Sequence, residues 1–203
     1  MLNFYFQDSN SPFINIIILL HDWSIIFIFR VAFVSLVILL CSYRSKYFYR
    51  NLIDNEMLEF IWTWIPTSIL ILILAPSLLC LYVIDEFHEA QITVKAQGHQ
   101  WYWQYDIPNV SNYNSFMNGG YRFLDTDNRL IIPVKFPAQM LITAADVLHS
   151  WALPTLGVKA DAVPGRVNKQ LLLCLRPGLY FGQCREICGR NHRFIPISLE
   201  CTI

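Results

Sequence analysis

"GQCREICGRNHRFIPI", Gly182–Ile197, sets two cysteines four residues apart and a histidine four residues after the second. Thiolate and imidazole are the soft donors that copper and zinc select. Three readings of Cys184, Cys188 and His192 compete. A disulfide needs only an oxidising compartment, but it leaves His192 without a role. A structural zinc site takes four N/S ligands, and one distant histidine would complete the set. A copper electron-transfer site uses thiolate, imidazole and a weak axial thioether, its ligands drawn mostly from one C-terminal loop of a β-sandwich. Zinc hairpins usually repeat the cysteine pair, and nothing repeats here, so the spacing favours copper.

The other candidate donors sort by context. His149, in "AADVLHSWALP", sits at the end of an apolar run before a Trp and a Pro and is the best distant partner. His99, in "GHQWYWQYD", reads as a hydrogen-bonded packing residue. His21 and His88 flank apolar segments and read as interfacial. Cys41, Cys80 and Cys174 lie in apolar runs, where a thiol serves as a small hydrophobe.

The chain has 203 residues, 55% of them hydrophobic and 15% charged, which is too apolar for an ordinary soluble domain. Its formal charge is zero, so no bulk electrostatic argument points to nucleic acid. Two segments are long enough to span a bilayer, Ser24–Cys41 with Arg30 inside it and the uncharged Phe60–Ile84. Pro66 and Pro76 only kink a packed membrane helix. The start "MLNFYFQDSN" lacks the basic region of a cleaved signal peptide. Arg44, Lys46 and Arg50 fill the connection between the spans, whereas Asp8, Asp22, Asp85, Glu86 and Glu89 lie outside it. Basic loops stay on the side of synthesis, so both termini are expected in the opposite compartment.

From about Ala90 the pattern changes. "AQITVKAQ", "RLIIPVKF", "QMLITAADV", "NKQLLLCL" and "LYFGQC" are short apolar runs between Pro, Gly, Asn and Asp. They predict an antiparallel sandwich or Greek-key barrel over 90–203, after an N-terminal segment and helical hairpin over 1–89. "NVSNYNSFMNGG" predicts a polar loop, and Asn109 opens a glycosylation sequon of little weight.

"GHQWYWQYD", "DVLHSWALPTLGVKADAVPGR", "RPGLYFGQC" and "CREICGRNHRFIPI", with the helical "EFIWTWIPTSILILILAPSLLCLY", together resemble the subunit 2 family of mitochondrial cytochrome c oxidase. The resemblance runs from about Phe6 to about Leu199. It implies a two-helix transmembrane hairpin anchoring an all-β cupredoxin-like Greek-key sandwich in the intermembrane space of the mitochondrial inner membrane. It implies a dinuclear copper centre that takes electrons from cytochrome c and passes them to haem in subunit 1, for reduction of O2 coupled to proton pumping. Carried over residue by residue, Cys184 and Cys188 match the bridging thiolates, and His149 and His192 the terminal imidazoles. Glu186 matches the residue whose backbone carbonyl is a weak copper ligand and whose side chain reaches a magnesium ion shared with subunit 1. Trp101 matches the aromatic that receives the electron, beside Tyr102 and Trp103, which packing alone accounts for. Glu59 matches the acid at the mouth of a proton channel.

The chain departs from that pattern at a few positions. Ile195 stands where the family has its axial methionine, and Ala145 where an acid precedes Asp146. Arg185, Arg190 and Arg193 stand where small residues are usual, and they help give the region beyond residue 90 eleven Lys and Arg against seven Asp and Glu. That balance is odd for a surface that steers a basic cytochrome. Read literally, Ile195 leaves one copper without its thioether and alters its potential. Several animal mitochondrial codes read one isoleucine codon as Met and two arginine codons as Ser, so one decoding table would also produce every change in the loop. A structural oxidase subunit with a decayed copper site is the alternative function, and the presence of both cysteines and both histidines weighs against it.

Overall fold

The computed structural model describes residues 5–47, 50, 53–85, 90–108 and 110–203. Glu86, His88, Glu89 and Asn109, to which the sequence assigned an acidic flank, an interfacial histidine and a sequon, lie outside these residues.

Helix α1 spans Pro12–Arg44 and α2 spans Glu56–Asp85, each overrunning the predicted apolar span at both ends. The starts follow from capping chemistry. The Ile14 N–H donates to Ser11 Oγ at 3.2 Å, with Pro12 in the first turn where its missing N–H costs nothing. Asn55 Oδ1 accepts from Leu58 N–H at 3.1 Å ahead of α2, whose first turn carries Glu56 and Glu59. Pro66 removes one backbone donor inside α2. The hydroxyls of Thr63, Thr67 and Ser68 bond back to the carbonyls of Glu59, Thr63 and Trp64 around that gap. Apolar side chains such as Phe33, Leu39, Leu70 and Leu81 cover the outer surface of the hairpin, as a lipid solvent requires. Within the hairpin, Arg30 lines an apolar recess with Ile65, Pro66 and Ile69.

Residues Ile17–Val83 form one compact unit; the residues before them group with Ile84–Ile203 in the other. The second unit is the sandwich. Its strands are β1 (Ile92–His99), β2 (Tyr102–Asp106), β3 (Tyr113–Ser115), β4 (Leu130–Pro133), β5 (Ala138–Ala144), β6 (His149–Leu153), β7 (Val158–Ala162), β8 (Asn168–Leu172), β9 (Gly178–Gln183) and β10 (Pro196–Thr202). Three sheets result, in the orders β3-β2-β1-β5-β8, β4-β10-β9 and β6-β7. Period-two alternation sends Trp103 and Tyr105 of β2 inward, where they join Trp151, Ile142, Leu153, Ile197 and Leu199 in the core. The Trp151 indole donates to the Tyr105 hydroxyl at 3.2 Å, which satisfies the polar ends of two buried aromatics. Burial raises the Tyr105 hydroxyl above its ordinary pKa and pushes that of Tyr113 up to about 12.

The sandwich is not purely antiparallel. β1 pairs with β5, and β10 with β4, in parallel. In each case long intervening chain returns the later strand beside the earlier one in the same direction, as parallel pairing requires. Strand β3 lies inside the predicted polar loop, where Tyr113–Ser115 add an edge to β2. Cys174 is not a lone small hydrophobe: it is disulfide-bonded to Cys201 across the core. Spacing could not reveal that bond, because cysteine connectivity is set by strands distant in sequence.

The N-terminal segment is part of the sandwich unit. Asn10 and Ser11 are fully buried. Asn10 N–H donates to Thr155 O at 2.9 Å, and its side chain accepts from Arg176 N–H at 2.7 Å and donates to Arg176 O at 3.2 Å. Two loops distant in sequence are thereby tied together.

Candidate metal centre

β9 and β10 pair antiparallel with Gln183 opposite Pro196, so the segment between them is a hairpin loop. Its neck is closed by the Cys184 N–H, which donates to Ile195 O at 3.0 Å. The Arg185 N–H donates to Ser150 O at 3.0 Å and fastens the loop against β6, whose first residue is His149. Three donors thereby converge: His149, Cys184 and Cys188 are all buried, and their ligand atoms lie within 4.8 Å of one another. Cys184 Sγ is 3.9 Å from His149 Nδ1, and Cys188 Sγ is 3.4 Å from His192 Nδ1. Each thiol has its own imidazole. Cys184 Sγ also lies 3.3 Å from the Glu186 carbonyl oxygen.

The surrounding groups fix these donors. His149 Nε2 is 2.9 Å from Asp146 Oδ1, which leaves Nδ1 facing the thiol. This is the carboxylate–histidine arrangement that orients a metal ligand. Asp146 is held in turn by N–H groups of Val147 and Gln100, each at 2.6 Å. The Gln100 side-chain amide donates to the Cys188 carbonyl at 2.8 Å, so one residue braces both halves of the site. Two glycines make room. A Cβ on Gly98 would stand 2.9 Å from the His149 ring. Gly189 has a φ of +122°, and a Cβ there would lie 3.2 Å from Gln100 Nε2 and 3.4 Å from the indole nitrogen of Trp101.

The electrostatics separate the two thiols. Burial opposes ionisation of Cys184, but the hydrogen bond to His149 and those from the backbone at Glu186 and Ser150 outweigh it and lower its pKa. Burial and the neighbouring charge on Cys184 push Cys188 up to about 12. Burial likewise opposes charge on His149 and Asp146. The Cys184 and Asp146 contacts nevertheless raise the histidine, and the His149 and backbone contacts lower the acid. Two buried thiols with a nearby imidazole each form a soft donor set suited to copper. Ile195 is fully buried at the neck and offers only its backbone.

Comparison with known proteins agrees with this geometry. Residues 92–202 match the family model "Cytochrome C oxidase subunit II, periplasmic domain", and residues 1–80 match "Cytochrome C oxidase subunit II, transmembrane domain". The chain belongs to the cytochrome c oxidase subunit II family. The crystal structure of the periplasmic domain of subunit II of cytochrome oxidase (CoxB) of Bradyrhizobium japonicum is 39% identical, with a TM-score of 0.55, over 57% of this chain and 86% of that one. A second structure holds subunit II of cytochrome c oxidase in a mixed disulfide intermediate with a thioredoxin-like protein. It is 38% identical, with a TM-score of 0.52, over 58% of this chain and 85% of that one.

Within this subunit II fold, the residues singled out from sequence fall into distinct places. Cys184, Cys188, His149, His192 and the Glu186 carbonyl come together in the sandwich. Trp101 is half-buried, with its indole nitrogen beside Gly189 in the β9–β10 loop. Glu59 stands exposed in the first turn of α2, in the hairpin. Tyr102 stacks on His99, whose Nε2 is 3.2 Å from Gln104 Oε1, and Trp103 is fully buried with its ring 6.0 Å from that of His149. Sequence reasoning missed the bracing roles of Asp146, Gln100, Gly98 and Gly189. The Asp-x-x-His spacing was the one available signal.

Proposed function

We propose that this subunit works in a mitochondrial cytochrome c oxidase, taking electrons from cytochrome c through a dinuclear copper centre. His149, Cys184, Cys188, His192 and the Glu186 carbonyl would hold that centre. The observation that carries the reading is the convergence of two buried thiols, each beside its own imidazole. When bound, a copper pair held by these donors would supply a one-electron store between cytochrome c and subunit 1.

The chain's own residues do the rest. Asp146 holds His149 with Nδ1 toward the thiols, and Gln100 pins the Cys188 carbonyl, so the donors are positioned in advance. Trp103, Trp151 and Ile195 exclude water, which keeps reorganisation small. Trp101, lying beside the β9–β10 loop, is the side chain through which the electron would come in. The Glu186 side chain would face a magnesium ion at the contact with subunit 1, and Glu59 would open a proton channel there. The exposed apolar hairpin supports anchoring in the inner membrane, with the sandwich and both termini in the intermembrane space. Subunit 1 would then pass the electrons to O2, with proton pumping.

Cys184→Ser or Cys188→Ser in the assembled oxidase tests the assignment. Each is expected to abolish cytochrome c oxidation, because the donor set would lose one of its two thiolates. Normal turnover in either variant would overturn the copper assignment.

A further inference from the structure

We propose that the Cys174–Cys201 disulfide is a positioning device for the metal loop, holding the loop in its ligand-ready shape before metal arrives. The proposal rests on reading that loop as the metal centre, but its structural part can be measured without metal. Cys201 lies opposite Gly178 in the β9–β10 register, and Cys174 stands four residues ahead of Gly178. The bond therefore closes the hairpin at its base, while Cys184, Cys188 and His192 sit at the other end. Among the candidate ligands only His149 is contributed from outside the closed segment.

The hairpin needs such a closure because β9 is an edge strand. It pairs with β10 on one side, in the order β4-β10-β9, and Gly178 and Leu179 are exposed. Edge ladders of this kind open locally at low cost, and opening here would separate Cys184 from Ile195 at the neck. The base, by contrast, is firmly held. Cys174 and Cys201 are buried; Lys135 N–H donates to Cys174 O at 2.8 Å, and Val134 N–H donates to Thr202 O at 2.7 Å. The next two residues, Leu175 and Arg176, are gripped by Asn10, with Leu175 N–H donating to Asn10 O at 3.0 Å. A covalent bond at that base transmits the rigidity of the core to the loop.

The same bond sorts the thiols. Four cysteines in one domain allow three full pairings. With Cys174 and Cys201 joined, Cys184 and Cys188 remain as thiols for the metal, and neither can be drawn into a bond with Cys174 or Cys201.

The test uses the assembled oxidase with Cys174→Ala and Cys201→Val together, stripped of copper by chelation and followed by hydrogen–deuterium exchange. Exchange across residues 184–194 is expected to rise about tenfold over the stripped wild type. It should return to the wild-type level when copper is restored, with the copper spectrum unchanged. Unchanged exchange in the stripped variant would overturn the proposal, and so would exchange that stays high after copper is restored. Alkylation of Cys174 and Cys201 in the unreduced wild type would overturn it as well. Should the variant not assemble, wild-type oxidase reduced with a phosphine and then stripped gives the same reading, and exchange equal to that of the unreduced protein would count against the proposal. A wild-type oxidase that binds no copper here would refute the metal reading alone, leaving the exchange result to judge the staple.

Discussion

Asp146 sets the state of His149, and His149 sets the state of Cys184. The carboxylate accepts from Val147 and Gln100 N–H groups and holds His149 Nε2, so the other ring nitrogen faces the thiol. Asp146→Asn keeps the shape but removes the charge that fixes the ring. It is expected to weaken copper binding by about 10–100-fold, read by titration against a competing chelator; unchanged affinity would remove Asp146 from the site's support. The thiols and imidazoles were legible in the sequence because soft donors at such spacing have few other uses. Gln100, Gly98 and Gly189 were not, since their contacts arise from strand register and loop path rather than from residue type. Ile195 is fully buried, and Arg185, Arg190 and Arg193 are exposed around the loop. Exposed positions there suit Ser as well as Arg, and a buried neck position suits Met as well as Ile. Mass spectrometry of the mature protein is expected to show Met at 195 and small residues at 185 and 193. Peptides containing Ile195 and Arg193 would leave the centre without its thioether.

At the scale of elements, the sandwich is pinned by contacts between strands far apart in sequence. Arg129, just before β4, meets Asp125 at 2.9 Å and Glu200 of β10 at 3.4 Å. The hydrogen bond from Arg129 lowers the Asp125 pKa below the ordinary carboxylate value. Because the folded-state pKa is depressed, the stabilisation is present above the unfolded value of about 3.9 and is lost as pH falls through the lower folded value. Asp125→Asn should therefore lower the thermal midpoint at neutral pH, with the gap to wild type closing in the acid range below about pH 3.9. A gap that persists at lower pH would show that packing, not charge, is responsible. The Cys174–Cys201 bond spans 27 residues, for which loop entropy gives on the order of 3–4 kcal/mol. Apolar runs foretold β1, β4, β5, β8 and β9, yet not the parallel pairing of β1 with β5. Alternation along a strand reports which face is buried, not which neighbour it meets or in what direction.

The whole molecule divides its labour between two units with different solvents. The hairpin satisfies its own backbone hydrogen bonds and presents apolar side chains outward, so it needs no metal to fold. The sandwich places a soft donor set at the end of a stapled hairpin, and the family assignment makes it the electron-accepting part of the oxidase. Both units were legible from hydropathy and strand patterning. The attachment of the N-terminal segment to the sandwich was not, because it depends on Asn10 and Ser11, two ordinary polar residues whose partners lie more than 140 positions away. The central claim is that His149, Cys184, Cys188 and His192 hold a copper pair. Metal analysis of the purified oxidase, combined with the visible and electron paramagnetic resonance spectra of this subunit's centre, tests it most directly. The account predicts two coppers per sandwich with a mixed-valence signal, both removed by chelation while helical content stays the same. One zinc, or no metal at this site, would contradict it.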